Sequence, residues 1–121
     1  MKSYDVPLLV DPVASDNVTD LLIQRAKLTP NHALFERQKP DGTWFNVSAA
    51  EFQADVESLA KGLIAAGIKP GQAIGLMSRT RYEWTLIDFA IWFAGAVSVP
   101  IYETSSSAQI EWILSNSDAV A

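Results

Sequence analysis

From Leu86 to Phe93 the chain is apolar on nearly every side of a helical period, and it then meets Ala94, Gly95 and Ala96 before Val97-Ser98-Val99. A helix of that kind must be covered on several sides. Glycine just past its end supplies the left-handed residue that turns the chain. The β-branched triplet behind it reads as a short strand, which Pro100 is expected to stop. The apolar run Phe89 to Val97 is nine residues long, against about twenty for a bilayer span. The segment is therefore a core helix.

The same alternation governs the rest of the chain. Residues 1–16 contain Pro7 and Pro12 and no apolar period, and read as a loosely draped arm. Asn17 is expected to cap a helix with Val18, Leu21, Leu22, Arg25 and Ala26 on one stripe, ended by Pro30. Asp41-Gly42 between two aromatic-containing runs, residues 33–37 and 43–47, predicts a hairpin. Ser48 with Glu51 three residues later forms a capping box. Behind it Phe52, Val56, Leu59, Ala60, Leu63 and Ile64 recur at helical spacing, with Glu51, Asp55 and Lys61 facing away. Gly67 ends that helix, and Lys69-Pro70-Gly71 turns into a strand over 73–77. Further helices are predicted over 82–94 and 108–115, and residues 118–121 read as the start of another strand. Strands alternating with helices predict an α/β fold, its helices packed on a mostly parallel sheet, with an N-terminal β-hairpin. Parallel sheets are normally covered on both faces, so the fold is expected to continue beyond these residues.

Composition removes several function classes. Nine basic residues against fourteen acidic ones give a net charge of -5 and no basic stripe, which disfavours nucleic acid. The chain has no cysteine. That excludes disulfides, thiolate metal sites and a thiol nucleophile, and it fits a reducing cytoplasm. Met1-Lys2-Ser3-Tyr4-Asp5 lacks the apolar core of a secretory signal. Contact with a membrane surface is left open, and the unpaired strand edge makes a homodimer an expectation to test.

Three segments resemble the adenylate-forming (AMP-binding) enzymes. Trp44-Phe45-Asn46-Val47-Ser48-Ala49-Ala50-Glu51-Phe52 is similar to the family's early strand-to-helix signature. Gly67-Ile68-Lys69-Pro70-Gly71-Gln72-Ala73-Ile74-Gly75-Leu76 is similar to its turn and strand, with Gln72 where Asp is commoner. Residues 92–106 resemble its Ala-Gly-Ala-Val segment, and the continuation through Trp112 is most like bacterial long-chain fatty-acyl-CoA synthetases. The resemblance covers most of residues 17–118. It implies that residues 17–121 are an incomplete N-terminal segment of a larger adenylate-forming domain. The whole enzyme would take a fatty acid, ATP with Mg2+, and coenzyme A. The family's phosphate loop, acidic Mg2+ ligand, ribose-binding Asp and catalytic Lys have no counterpart in this sequence. No residue here inherits a catalytic, cofactor-binding or metal-binding role, and the rest of the chain would be its partner. An adenylation domain that loads a carrier protein and a stand-alone, non-catalytic interaction module are the competing readings.

The residues themselves offer few rival sites. Gly62-Leu63-Ile64-Ala65-Ala66-Gly67-Ile68-Lys69 approaches a phosphate loop, but its glycines fall at a helix C-terminus, where anions are not bound. Thr104-Ser105-Ser106-Ser107 is expected to cap a helix, and His32 stands without metal or triad companions. Glu51 and Asp55 read as solvated. Trp84, Phe89, Trp92 and Phe93 read as core more than as an acyl tunnel. Arg79-Thr80-Arg81 with Glu83 follows the carboxyl end of a strand, where open α/β sheets bind ligands, although ion pairing is the simpler expectation.

Overall fold

The computed structural model describes residues 3–10, 13 and 16–121. The arm predicted over 1–16 is exposed and has no helix or strand over 3–10, while 1, 2, 11, 12, 14 and 15 lie outside the described residues. Helix α1 (Val18–Leu28) starts on Asn17, whose side chain accepts from the Thr19 and Asp20 amides. Strands β1 (Ala33–Gln38) and β2 (Trp44–Ser48) form the antiparallel hairpin, with Arg37 opposite Phe45. Its loop is closed by the Lys39 amide donating to Thr43 O at 2.8 Å and by Gly42 at φ 86°. Asp41 Oδ1 accepts from the Thr43 hydroxyl and amide, which holds that carboxyl below the usual range.

Helix α2 (Ala49–Ala65) opens on the predicted box, with Ser48 and Glu51 bonded both ways. The Ser48 hydroxyl lowers the Glu51 pKa. Strand β3 (Ala73–Met77), helix α3 (Tyr82–Phe93), strand β4 (Val97–Ile101) and helix α4 (Ser107–Asn116) follow. β3 and β4 pair in parallel, Ile74 beside Ser98 and Leu76 beside Pro100.

Three helices end in the same backbone motif. After α2, Gly67 and Ile68 donate to Ile64 O and Leu63 O. After α3, Gly95 and Ala96 donate to Trp92 O and Ile91 O. After α4, Asp118 and Ala119 donate to Ser115 O and Leu114 O. In each, one residue takes positive φ (101°, 74° and 51°), and the last of these is an aspartate.

The core forms three clusters that share α3, and in one of them Ala60 of α2 meets Ala90 and Ala94. Phe52 and Val56 of α2 meet Leu22 and Val47, and Tyr82, Leu86, Phe89 and Phe93 pack against them. Rings of Phe35 and Phe89 lie 4.8 and 5.6 Å from Phe52. The other side of α3 sets Ile87 and Ile91 against Ile74 and Ala96.

Three expectations are corrected. Pro100 does not stop the strand, which runs on to Ile101. The Val97 amide donates to Gln72 O at 2.8 Å, so alternation turns the nitrogen of Pro100 to the outer edge, where no bond is lost. The α1 stripe is not a buried face: Leu22 is buried, but Leu21 is 66% exposed. Ile64 also lies outside the core, exposed where Phe52, Val56 and Ala60 are buried and Leu59 and Leu63 are half-buried against the core.

Candidate functional site

The site follows from how the two parallel strands leave the sheet. Side chains alternate along β3, so Ile74 and Gly75 face opposite sides. Ile74 meets Ile91 of α3. A Cβ on Gly75 would lie 2.7 Å from Leu114 Cδ2 of α4, so this glycine lets α4 approach the other side. Helices α3 and α4 therefore cover opposite faces. Beyond α4 the chain reaches the far edge of β3, where the Val120 amide donates to Ala73 O at 2.9 Å and the Gly75 amide donates to Ala121 O at 2.7 Å. Residues 118–121 are not a strand here, but those two bonds put β3 between β4 and the chain end. The connections after β3 and after β4 thus depart to opposite faces and leave a gap at the carboxyl ends of the strands. Open α/β sheets bind their ligands at such a switch point.

A crevice of about 440 Å³ fills that gap, lined by Ser78, Thr80, Trp84, Pro100, Ile101 and Tyr102. Among the described residues its walls are two hydroxyls, three rings and the aliphatic Ile101, with no charged side chain. Tyr102 is 84% exposed and separates it from a second, largely apolar groove of about 460 Å³ along α4, bordered by Ser105, Gln109, Trp112 and Ile113. Ser78 Oγ donates to Arg79 O at 3.1 Å.

Thr80 from the predicted triplet is a wall of the crevice, whereas Arg79 and Arg81 are exposed beside it. Arg81 Nε donates to Glu83 Oε2 at 2.5 Å, the ion pairing expected there. Arg37, from the hairpin, donates to Glu83 Oε1 at 2.7 Å, a contact across 46 residues that no sequence period announces. The Arg81 bond is the main reason Glu83 is held below, and Arg81 above, its ordinary pKa. Arg37 also stacks 4.1 Å from the centre of the Tyr82 ring. Tyr82 Oη donates to Asp55 at 3.2 Å, and burial with the nearby Asp55 charge pushes its pKa to about 12. Asp55 is therefore part of an α2–α3 contact, while Glu51 belongs to the helix cap.

Ser106 caps α4, accepting from the Gln109 amide, and His32 is exposed. Phe89 and Phe93 are core, Trp92 stacks 5.2 Å from Phe89, and Trp84 alone of the four aromatics reaches the crevice. The missed wall residues are Ser78, Pro100, Ile101 and Tyr102. Their signal is position at the end of a parallel strand. Among the described residues no three acidic or histidine side chains converge to hold a metal, so these residues do not fit the Mg2+ implied by the resemblance.

The profile of the AMP-binding enzymes matches residues 22–121. The chain is 39% identical over 120 residues to the long-chain-fatty-acid–CoA ligase FadD15 of Mycobacterium bovis, covering 99% of this chain and 20% of that protein. It is 40% identical over 65 residues to the mitochondrial medium-chain acyl-CoA ligase ACSF2 of Danio rerio, covering 54% of this chain and 11% of that one. The chain thus spans about a fifth or less of the length of these relatives. The fatty acid AMP ligase of Legionella pneumophila shares the fold with a TM-score of 0.73 at 22% identity, over 84% of this chain and 18% of its own. With the fold and most of the sequence matched together, the chain belongs to the AMP-binding enzyme family.

Proposed function

We propose that this chain is the N-terminal part of a long-chain fatty-acid–CoA ligase, with residues 1–16 an arm and 17–121 the start of its AMP-binding domain. The observation that carries the reading is the 39% identity that runs along 99% of the chain. In the whole enzyme a fatty-acid carboxylate attacks the α-phosphate of ATP, forming the acyl–phosphate bond of acyl-AMP and releasing pyrophosphate. The thiol of coenzyme A then displaces AMP and leaves the acyl thioester. Catalytic and metal-binding groups come from the rest of the enzyme; this part supplies scaffold and the crevice at the ends of β3 and β4.

Incubating the whole enzyme with palmitate, ATP and coenzyme A should yield palmitoyl-CoA, AMP and pyrophosphate in equal amounts. Accumulation of palmitoyl-AMP with no thioester would replace this reading with an adenylation domain serving a carrier protein. No ATP turnover at all would leave the non-catalytic module. Among the described residues no helix is long and apolar enough to cross a membrane. A cytoplasmic protein with peripheral membrane contact through Val6, Leu8, Leu9 and Val10, all strongly exposed, is the proposed setting. Sedimentation with phospholipid vesicles tests it, and an unchanged supernatant overturns it. A homodimer would use the outer edge of β4, and light scattering showing a monomer would dismiss it.

A further inference from the structure

Helices α1, α2 and α4 each begin with a side-chain box, but α3 begins at Arg81 with no side-chain cap. Its first turn nevertheless separates three contacts. Tyr82 packs against the aromatic core, Glu83 accepts from Arg37 and Arg81, and Trp84 forms a crevice wall. Thr80, another wall, immediately precedes Arg81. A first turn without a cap frays, since its amides lack partners. Fraying here would release the crevice on both sides of the turn.

We propose that Glu83 is a positioning residue: its clasp between Arg37 of the hairpin and Arg81 replaces the missing cap and fixes the Thr80 and Trp84 walls of the crevice. The assignment rests on the ligase reading only for its kinetic test. Neither arginine is offered to a ligand in this role, because both point their charge at one carboxylate. The hairpin, remote from the crevice in sequence, thereby helps set its shape. The three side chains are between 34% and 50% exposed, so the clasp is sensitive to salt.

The experiment compares Glu83→Gln with wild type in the whole enzyme, by amide exchange and by steady-state kinetics for palmitate, ATP and coenzyme A in turn. Exchange at Trp84, whose amide donates to Arg81 O, and at the next amides of α3 should accelerate about fivefold, the size of a lost cap. KM for the one substrate that occupies the crevice should rise about threefold, with kcat and the other two KM values within about twofold. Adding Arg81→Asp to Glu83→Gln restores a conventional cap and should recover both readouts. Wild type in about 1 M salt, where screening reaches about 3 Å, should move toward the Gln variant without any substitution. Unchanged exchange in the Gln variant, no recovery with Arg81→Asp, or an equal shift of all three KM values would overturn the proposal. An inactive wild type would refute the ligase reading, while exchange and its salt dependence still decide the clasp.

Discussion

Around α2, polar groups are matched within a few residues and the apolar ones meet in one cluster: Ser48 with Glu51, Asp41 with Thr43, and Phe52 with Phe35, Tyr82 and Phe89. Around β3 and β4 the accounting stays open. Asp88 Oδ1 and Ser98 Oγ are buried without hydrogen-bond partners among the described residues, and Tyr102 and Trp112 are strongly exposed. A buried polar atom without a partner costs about 1–3 kcal/mol, so the first region can specify itself while the second carries a deficit. α3 joins the two, with one face in each.

Removing the Phe52 ring is the hardest blow to that division. Phe52→Ala empties the centre of the first region and should cost about 3–5 kcal/mol. Because Phe52 touches α3, tryptophan fluorescence and helical circular dichroism should melt together; separate transitions would show two independent regions. Gly95→Val comes next. Its φ of 74° penalises a β-branched residue by about 1–3 kcal/mol, and the new Cβ would lie 3.3 Å from Pro70 Cβ. An unchanged melting temperature would refute the strained turn. Gly75→Ala should act only in the second region, pushing Leu114 and loosening α4 for about 1 kcal/mol. Faster amide exchange confined to α4 is the expected result, and a spread into α2 would erase the boundary.

The smallest effect is a titration. Burial raises Tyr82 to about 12 from 10.0, so the fold prefers its neutral hydroxyl. The stability this gives is complete below pH 10, where the unfolded tyrosine is neutral too, and is lost as pH rises through 12. Tyr82→Phe should flatten that alkaline fall in a melting series, and identical slopes would remove Tyr82 from the bridge between the regions.

What could be read from the sequence was local. Asn17, Ser48 with Glu51, Asp41-Gly42, Gly67 and Gly95 each act through neighbours a few positions away, and each stands where its residue type predicted. The α3 helix was legible because its apolar character extends all round. The crevice was legible only at Thr80. Ser78 beside it and Trp84, which was read as core, carried no such signal, and the walls from Pro100 to Tyr102 are brought up by the parallel pairing of β3 with β4, which sets Pro100 beside Leu76. Arg37 with Glu83 was invisible because exposed charges far apart carry no periodic signal. Pro100 misled because a strand tolerates proline where its nitrogen faces away from the ladder, and that depends on register.

Pro100 also makes the rim of β4 chemically lopsided. Along its outer side, alternation leaves Ser98 to offer an amide proton and Pro100 none. An incoming strand can fasten near the beginning of β4 but finds only acceptors toward its end. Edge-to-edge addition along that rim is curtailed by a single ring.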